Sequence, residues 1–191
     1  MRICLFGGPG SAKDTTASYL FAKLKTEHVN IELVPEFVKS WTYIHRNPTA
    51  WDQPFIFGSQ LQKEYEVLEG GFKHLITPCP ILLNAYYSKS FAYDIYRPEY
   101  KKWFGEDIYL DQISTAMAFN KRYPSLNIFL RRGDIPYTKI GRFHTKSQAL
   151  KIDRELEKFL LEECKTSLVI FDVKERESIY DFVKEAIDND G

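Results

Sequence analysis

Residues 3–17 read Ile-Cys-Leu-Phe-Gly-Gly-Pro-Gly-Ser-Ala-Lys-Asp-Thr-Thr-Ala: a short apolar run, an abrupt glycine-rich turn, then the start of a helical pattern. Ile3 to Phe6 reads as a strand, and Ala17, Leu20, Phe21 and Leu24 share one helical face. A glycine turn between a first strand and a first helix, closing on a lysine, is the layout of a phosphate cradle. Backbone N–H groups and the positive helix end favour an anion, and the lysine reaches its outer charges. The cradle residues are Gly8, Pro9, Gly10, Ser11, Ala12, Lys13, Asp14 and Thr15. Against the spacing G-x-x-x-x-G-K-[ST] the segment departs twice: Ala12 replaces the second glycine and Asp14 replaces the magnesium-binding hydroxyl. Ala12 is acceptable if the backbone there is helical and the phosphate clears a methyl group. Asp14 is the larger change, because a carboxylate beside a triphosphate is repelled unless a cation lies between them.

Outward from this turn, short apolar runs alternate with helical patterns. Further strands are expected at Ile31 to Val34, at His74 to Leu83 (interrupted by Pro78 and Pro80), at Leu126 to Leu130 and at Leu168 to Phe171. Helices are expected at 53–69, with Phe57, Leu61, Tyr65 and Leu68 on one face, and at Asp107 to Lys121, with Tyr109, Ile113, Ala116 and Met117 inward. Thr145-x-x-Gln148 resembles a capping box ahead of a helix burying Ile152, Leu156, Phe159 and Leu160, and a last helix follows Asp172-x-x-Glu175. Short, continuously apolar strands between helices indicate a parallel sheet covered on both faces, with its ligand site at the carboxyl ends of the strands.

The 191 residues suit one domain, and 44% apolar content supplies its core. Lys+Arg and Asp+Glu both total 26, so no net field favours nucleic acid or an anionic membrane. No apolar run approaches the length of a membrane span, and the N-terminus leads into glycines rather than a cleavage site. Three cysteines, Cys4, Cys79 and Cys164, without metal spacing fit reduced thiols, so a cytoplasmic location is expected.

The run from Phe6 to Ala17, followed by Ile31-Glu-Leu-Val-Pro-Glu-Phe-Val-Lys39, resembles the phage-encoded P-loop kinase-like proteins. These are small NTPase-fold proteins related to the nicotinamide riboside kinase domain. The likeness continues through Asp52-Gln-Pro-Phe-Ile-Phe57 with Gln60-Leu61, and through Gly141-Arg-Phe-His-Thr145 with Ala149-x-x-x-Asp153. It implies a three-layer α/β/α P-loop kinase-like fold with a mostly parallel five-stranded sheet. It further implies ATP and Mg²⁺ as cofactors, a nucleoside, nucleotide or hydroxymethylated base as acceptor, and the host cytoplasm as location. The chain would be one domain, 1–191, with an aromatic-rich insertion at about 86–105 and a lid-like loop at about 131–146. The family's Asp-Ser-Pro after the third strand is here Thr77-Pro78-Cys79-Pro80, so both magnesium-related positions have changed.

Two readings of that change compete: Asp14, with Thr15, is a relocated metal ligand, or ATP binding is lost and the domain survives as a binding scaffold. Glu36, at a strand end, is a candidate to take a proton from an attacking hydroxyl, or else a surface partner of Lys39 or Arg46. Arg131 and Arg142 sit in a basic, glycine-punctuated loop placed to close over phosphates and stabilise the transferring group. Asp52 and Gln60 are candidate acceptor contacts, Asp52 equally a helix cap. Tyr93 and Trp103 lie in an aromatic and basic stretch that suits base stacking on DNA, core packing or an oligomer contact.

Overall fold

The computed structural model describes residues 1–92, 107–138 and 140–190. Five strands, β1 (Arg2–Phe6), β2 (Ile31–Leu33), β3 (His74–Thr77), β4 (Ser125–Arg131) and β5 (Val169–Asp172), form one sheet in the order β2-β3-β1-β4-β5. All four pairings are parallel, with Ile3 opposite both Ile76 and Leu126. The helices are α1 (Lys13–Thr26), α2 (Lys39–Tyr43), α3 (Gln53–Glu69), α4 (Ile81–Ala92), α5 (Asp107–Arg122), α6 (Lys146–Lys158) and α7 (Arg176–Asn189). A short 3₁₀ turn (Ala50–Asp52) precedes α3, and α6 runs on into one π-helical turn (Phe159–Glu163).

Alternation along β1 sorts the helices into layers, since neighbouring strand residues face opposite sides. Cys4 and Phe6 point into a core shared with Phe57 of α3, Leu82 and Tyr86 of α4, Ala116 of α5 and Leu156 of α6. Ile3 and Leu5 point the other way, against Leu20 and Leu24 of α1 and Ile179 and Val183 of α7. The expected three-layer α/β/α arrangement follows.

Three local expectations change. Ile81 to Leu83 is not strand: Pro78 and Pro80 cannot extend the β3 ladder, and the apolar run is the first turn of α4, buried because α4 packs inside the layer. Met117 is exposed rather than inward. The buried face of α3 carries Gln53, Ile56, Phe57, Gln60 and Glu64, while Tyr65 is exposed, so the face is rotated from the apolar stripe.

The rotation has a physical reason. Arg2, on the same face of β1 as Cys4 and Phe6, donates to Glu64 Oε2 through Nε at 3.0 Å and Nη2 at 2.6 Å. Its Nη1 donates to Asn120 Oδ1 of α5 at 2.5 Å, and its guanidinium lies 4.7 Å from the Phe119 ring centroid. Both charged side chains are essentially out of solvent. Removing one partner strands a buried charge, so Arg2→Met should cost about 3–5 kcal/mol in urea unfolding. The double variant R2M/E64M should recover most of that loss.

Candidate functional site

β1 ends in the middle of the sheet, and its chain turns through the glycine loop into α1. Gly10 has φ +78°, and a Cβ there would stand 3.0 Å from Tyr137 Cε2 and 3.1 Å from Arg142 Nε. The residue is therefore glycine for both its conformation and its neighbours. Ala12 forms the N-cap of α1 at φ 55°, ψ 25°, the left-handed region, rather than the ordinary helical backbone that would make its methyl harmless. Lys13 Nζ folds back onto the loop and donates to the carbonyls of Gly7 at 2.7 Å and Gly8 at 3.0 Å. Burial lowers its pKa, while Glu36, Asp14 and Asp153 favour the ammonium through space.

Asp14 is not left facing the phosphate position alone: its Oδ2 accepts from Lys39 Nζ of α2 at 2.7 Å. Thr15 is exposed, whereas Ser11 and Thr16 are buried, with hydroxyls that have no hydrogen-bond partner among the described residues. Among the described residues no three His, Cys, Asp or Glu side chains gather to hold a metal. Mg²⁺ needs only one or two protein carboxylates when phosphate oxygens and water complete its shell, and the Asp14 carboxylate is a donor of that kind.

Glu36 follows β2 and lies within the electrostatic reach of Lys13, Lys39 and Asp14. Burial raises its carboxyl pKa; Lys13 and Lys39 pull it down and Asp14 pushes it further up. The backbone beside it is fixed by Gln60, which is fully buried: Gln60 Oε1 accepts from Phe37 N at 3.0 Å and its Nε2 faces Thr77 Oγ1 at 3.4 Å. Gln60 thus joins the segment after β2 to the end of β3. Asp52 is spent locally, accepting from Thr49 N and Oγ1, each at 2.8 Å, and from Arg46 Nη2 at 2.6 Å. It braces the 3₁₀ turn rather than capping α3.

The 132–145 loop leans on the glycine loop. Tyr137 packs at Gly10, its hydroxyl donates to His144 O at 2.5 Å, and Arg142 stacks 5.3 Å from the Tyr137 ring centroid while Nη1 donates to Thr138 O. His144 stacks on Tyr87 of α4 with centroids 6.2 Å apart, and burial lowers its pKa. Arg131, the residue chosen from the sequence, turns away to Glu157 of α6 at 3.0 Å and is 59% exposed. Its neighbour Arg132 turns inward instead: Nε donates to Asp153 Oδ2 at 3.0 Å, and Asp153 Oδ1 accepts from Gly8 N at 2.6 Å. Alternation at the strand end points the two side chains in opposite directions. Tyr93 and Trp103 lie outside the described residues.

Strand order, glycine loop and the loop covering it define a P-loop kinase-like α/β fold. Two solved structures of deoxyadenosine kinase from M. mycoides have this fold. One, with the products dCMP and a flexible dCDP bound, aligns over 99% of this chain and 100% of its own, with TM-score 0.58 at 14% identity. The other, with bound dATP, aligns over 98% and 99%, with TM-score 0.55 at 14% identity. No protein-family model matches the sequence, and no curated protein matches it. No described helix is long and apolar enough to cross a membrane.

Two stability outcomes follow. Left-handed backbone costs a non-glycine residue about 1–2 kcal/mol, and glycine loosens the unfolded chain by about 0.4–1 kcal/mol. Ala12→Gly should therefore stabilise by up to about 1 kcal/mol in urea unfolding. A carboxyl whose folded pKa is raised favours folding below its unfolded value and loses that contribution as pH rises through the folded value. Glu36→Gln should therefore melt at a higher temperature than the wild type near neutral pH. The difference should vanish in acid, at about pH 4, read by thermal scans across pH.

Proposed function

We propose that this chain is an ATP-dependent kinase that phosphorylates a hydroxyl of a nucleoside or nucleotide, a hydroxymethylated base in DNA being an acceptor of the same chemistry. The observation that carries the reading is the glycine loop between β1 and α1, with Lys13 Nζ folded onto its Gly7 and Gly8 carbonyls and Arg142 packed at Gly10. A fold shared with a deoxyadenosine kinase supports it.

Backbone N–H groups from Gly10 to Lys13 receive the donor phosphates, and Lys13 exchanges its carbonyl partners for phosphate oxygens. Asp14, with Thr15 beside it, would hold Mg²⁺, which supplies charge neutralisation across the donor phosphates when bound. Glu36 accepts the proton of the acceptor hydroxyl, and a carboxyl held above its ordinary range is the better base for that step. The acceptor oxygen then bonds to the terminal phosphorus as the bridging P–O bond of the donor breaks. Arg142, stacked beside Gly10, offsets the charge that develops. The phage-type motif run and the host cytoplasm belong to the same reading.

A different observation favours an inactive nucleotide-binding scaffold: Lys39 already engages Asp14, and Ala12 holds a glycine's conformation. Calorimetric titration with ATP, dATP and GTP, each with and without Mg²⁺, separates the two. Micromolar binding that requires the metal supports the kinase, and no binding of any nucleotide discards it. In the kinase, Glu36→Gln should lower kcat by about 100- to 10,000-fold while ATP still binds.

A further inference from the structure

Arg132 is a buried arginine whose side chain makes one hydrogen bond, through Nε, among the described residues. It is 6% exposed, on the segment leaving β4 beside β1. Its Nε donates to Asp153 Oδ2, and Nη2 lies 2.9 Å from the same oxygen but off the hydrogen-bond line. Nη1 and Nη2 are both buried without a hydrogen-bond partner among the described residues. A guanidinium has five donors in a fixed fork, and leaving the outer ones dry and unpaired is costly unless something else receives them.

Its surroundings say what that is. Asp153, which holds one edge of the fork, also accepts from Gly8 N of the glycine loop at 2.6 Å. Tyr137, whose ring centroid lies 5.7 Å from the Arg132 guanidinium, packs at Gly10 of the same loop. The guanidinium is thus anchored to the loop at both ends of the Gly8–Gly10 span, with Lys13 Nζ on the carbonyls of Gly7 and Gly8. Fit at Gly8 is close: a Cβ there would stand 2.5 Å from Asp153 Oδ1 and 2.9 Å from Ala149 O, so α6 reaches the loop only because Gly8 has no side chain.

We propose that Arg132 donates its outer N–H groups to a phosphate oxygen of the nucleotide held by the glycine loop, and that Asp153 is the positioning residue that sets it there. This rests on the kinase reading above. Asp153 fixes one edge of the guanidinium and leaves the other for an anion, the division of labour a planar fork allows and an ammonium does not.

The test is titration of the wild type, R132M and R132K with ATP and with adenosine, Mg²⁺ present throughout and folding checked by thermal melting. R132M should weaken ATP about 10- to 100-fold and leave adenosine unchanged, with R132K recovering only part of the loss. D153N keeps an oxygen for Gly8 N but releases the arginine, so it should weaken ATP in the same direction as R132M and by less, with adenosine unchanged. R132M binding ATP as the wild type does, or losing ATP and adenosine equally as a purely structural latch would, overturns the proposal and leaves the kinase reading standing. A wild type that binds no ATP overturns both. Should R132M not fold, the double variant R132M/D153N, which buries neither charge, gives the same readout.

Discussion

The buried pair between Arg2 and Glu64 fixes the geometry on which the site depends. Arg2 opens the central strand that leads, five residues on, into the glycine loop at Gly7. Glu64 stands one helical turn beyond Gln60, the residue that holds the backbone next to Glu36. One ion pair therefore sets the distance between the strand that leads into the glycine loop and the helix that braces the segment after β2. Asn120 and the Phe119 ring extend the constraint to α5. A hydrophobic pair could supply equal stability, but two charges in the same place tolerate far less slippage, because any displacement leaves one of them unpaired.

At the other end of β1 a second ionic arrangement closes the layer. The capping box of Thr145 and Gln148 starts α6 cleanly, and two turns later the helix delivers Asp153 to Gly8. Arg132, just past the end of β4, and Tyr137, further along the same covering loop, join that contact. Side chains from α6 and the covering loop thus meet on a loop with almost no side chains of its own. Small residues at 7, 8 and 10 make room for them, so the glycines serve the protein's internal fit as well as any ligand.

How much of this was legible depended on whether the signal was local. Strand-turn-helix at 3–17, the capping box at Thr145 and the continuous apolar run of β1 are properties of neighbouring residues, and they read correctly. The α3 face did not, because its inward side carries Gln60 and Glu64, whose burial is explained only by Phe37, Thr77 and Arg2 far away in sequence. Ile81 to Leu83 misled for a related reason: an apolar triplet has the same composition in a buried strand as in a buried first helical turn. Arg131 and Arg132 cannot be told apart by composition at all. Their roles follow from the pleat, which turns one toward Glu157 and the other toward Asp153.

Most charges at the cleft are met by an opposite charge among the described residues. Lys39 meets Asp14, Arg132 meets Asp153, and Lys13 lies in the field of Glu36, Asp14 and Asp153. The result is a nearly neutral site in a chain of zero net charge, which forgoes long-range steering of a polyanion. What it gains is a loop whose cations are already positioned and partly desolvated. The two departures from the usual loop spacing fit that logic. A carboxylate at position 14 is compatible with a phosphate neighbour because Lys39 shares its charge. An alanine at position 12 is held left-handed by a loop that Asp153, Tyr137 and Lys13 grip from three sides.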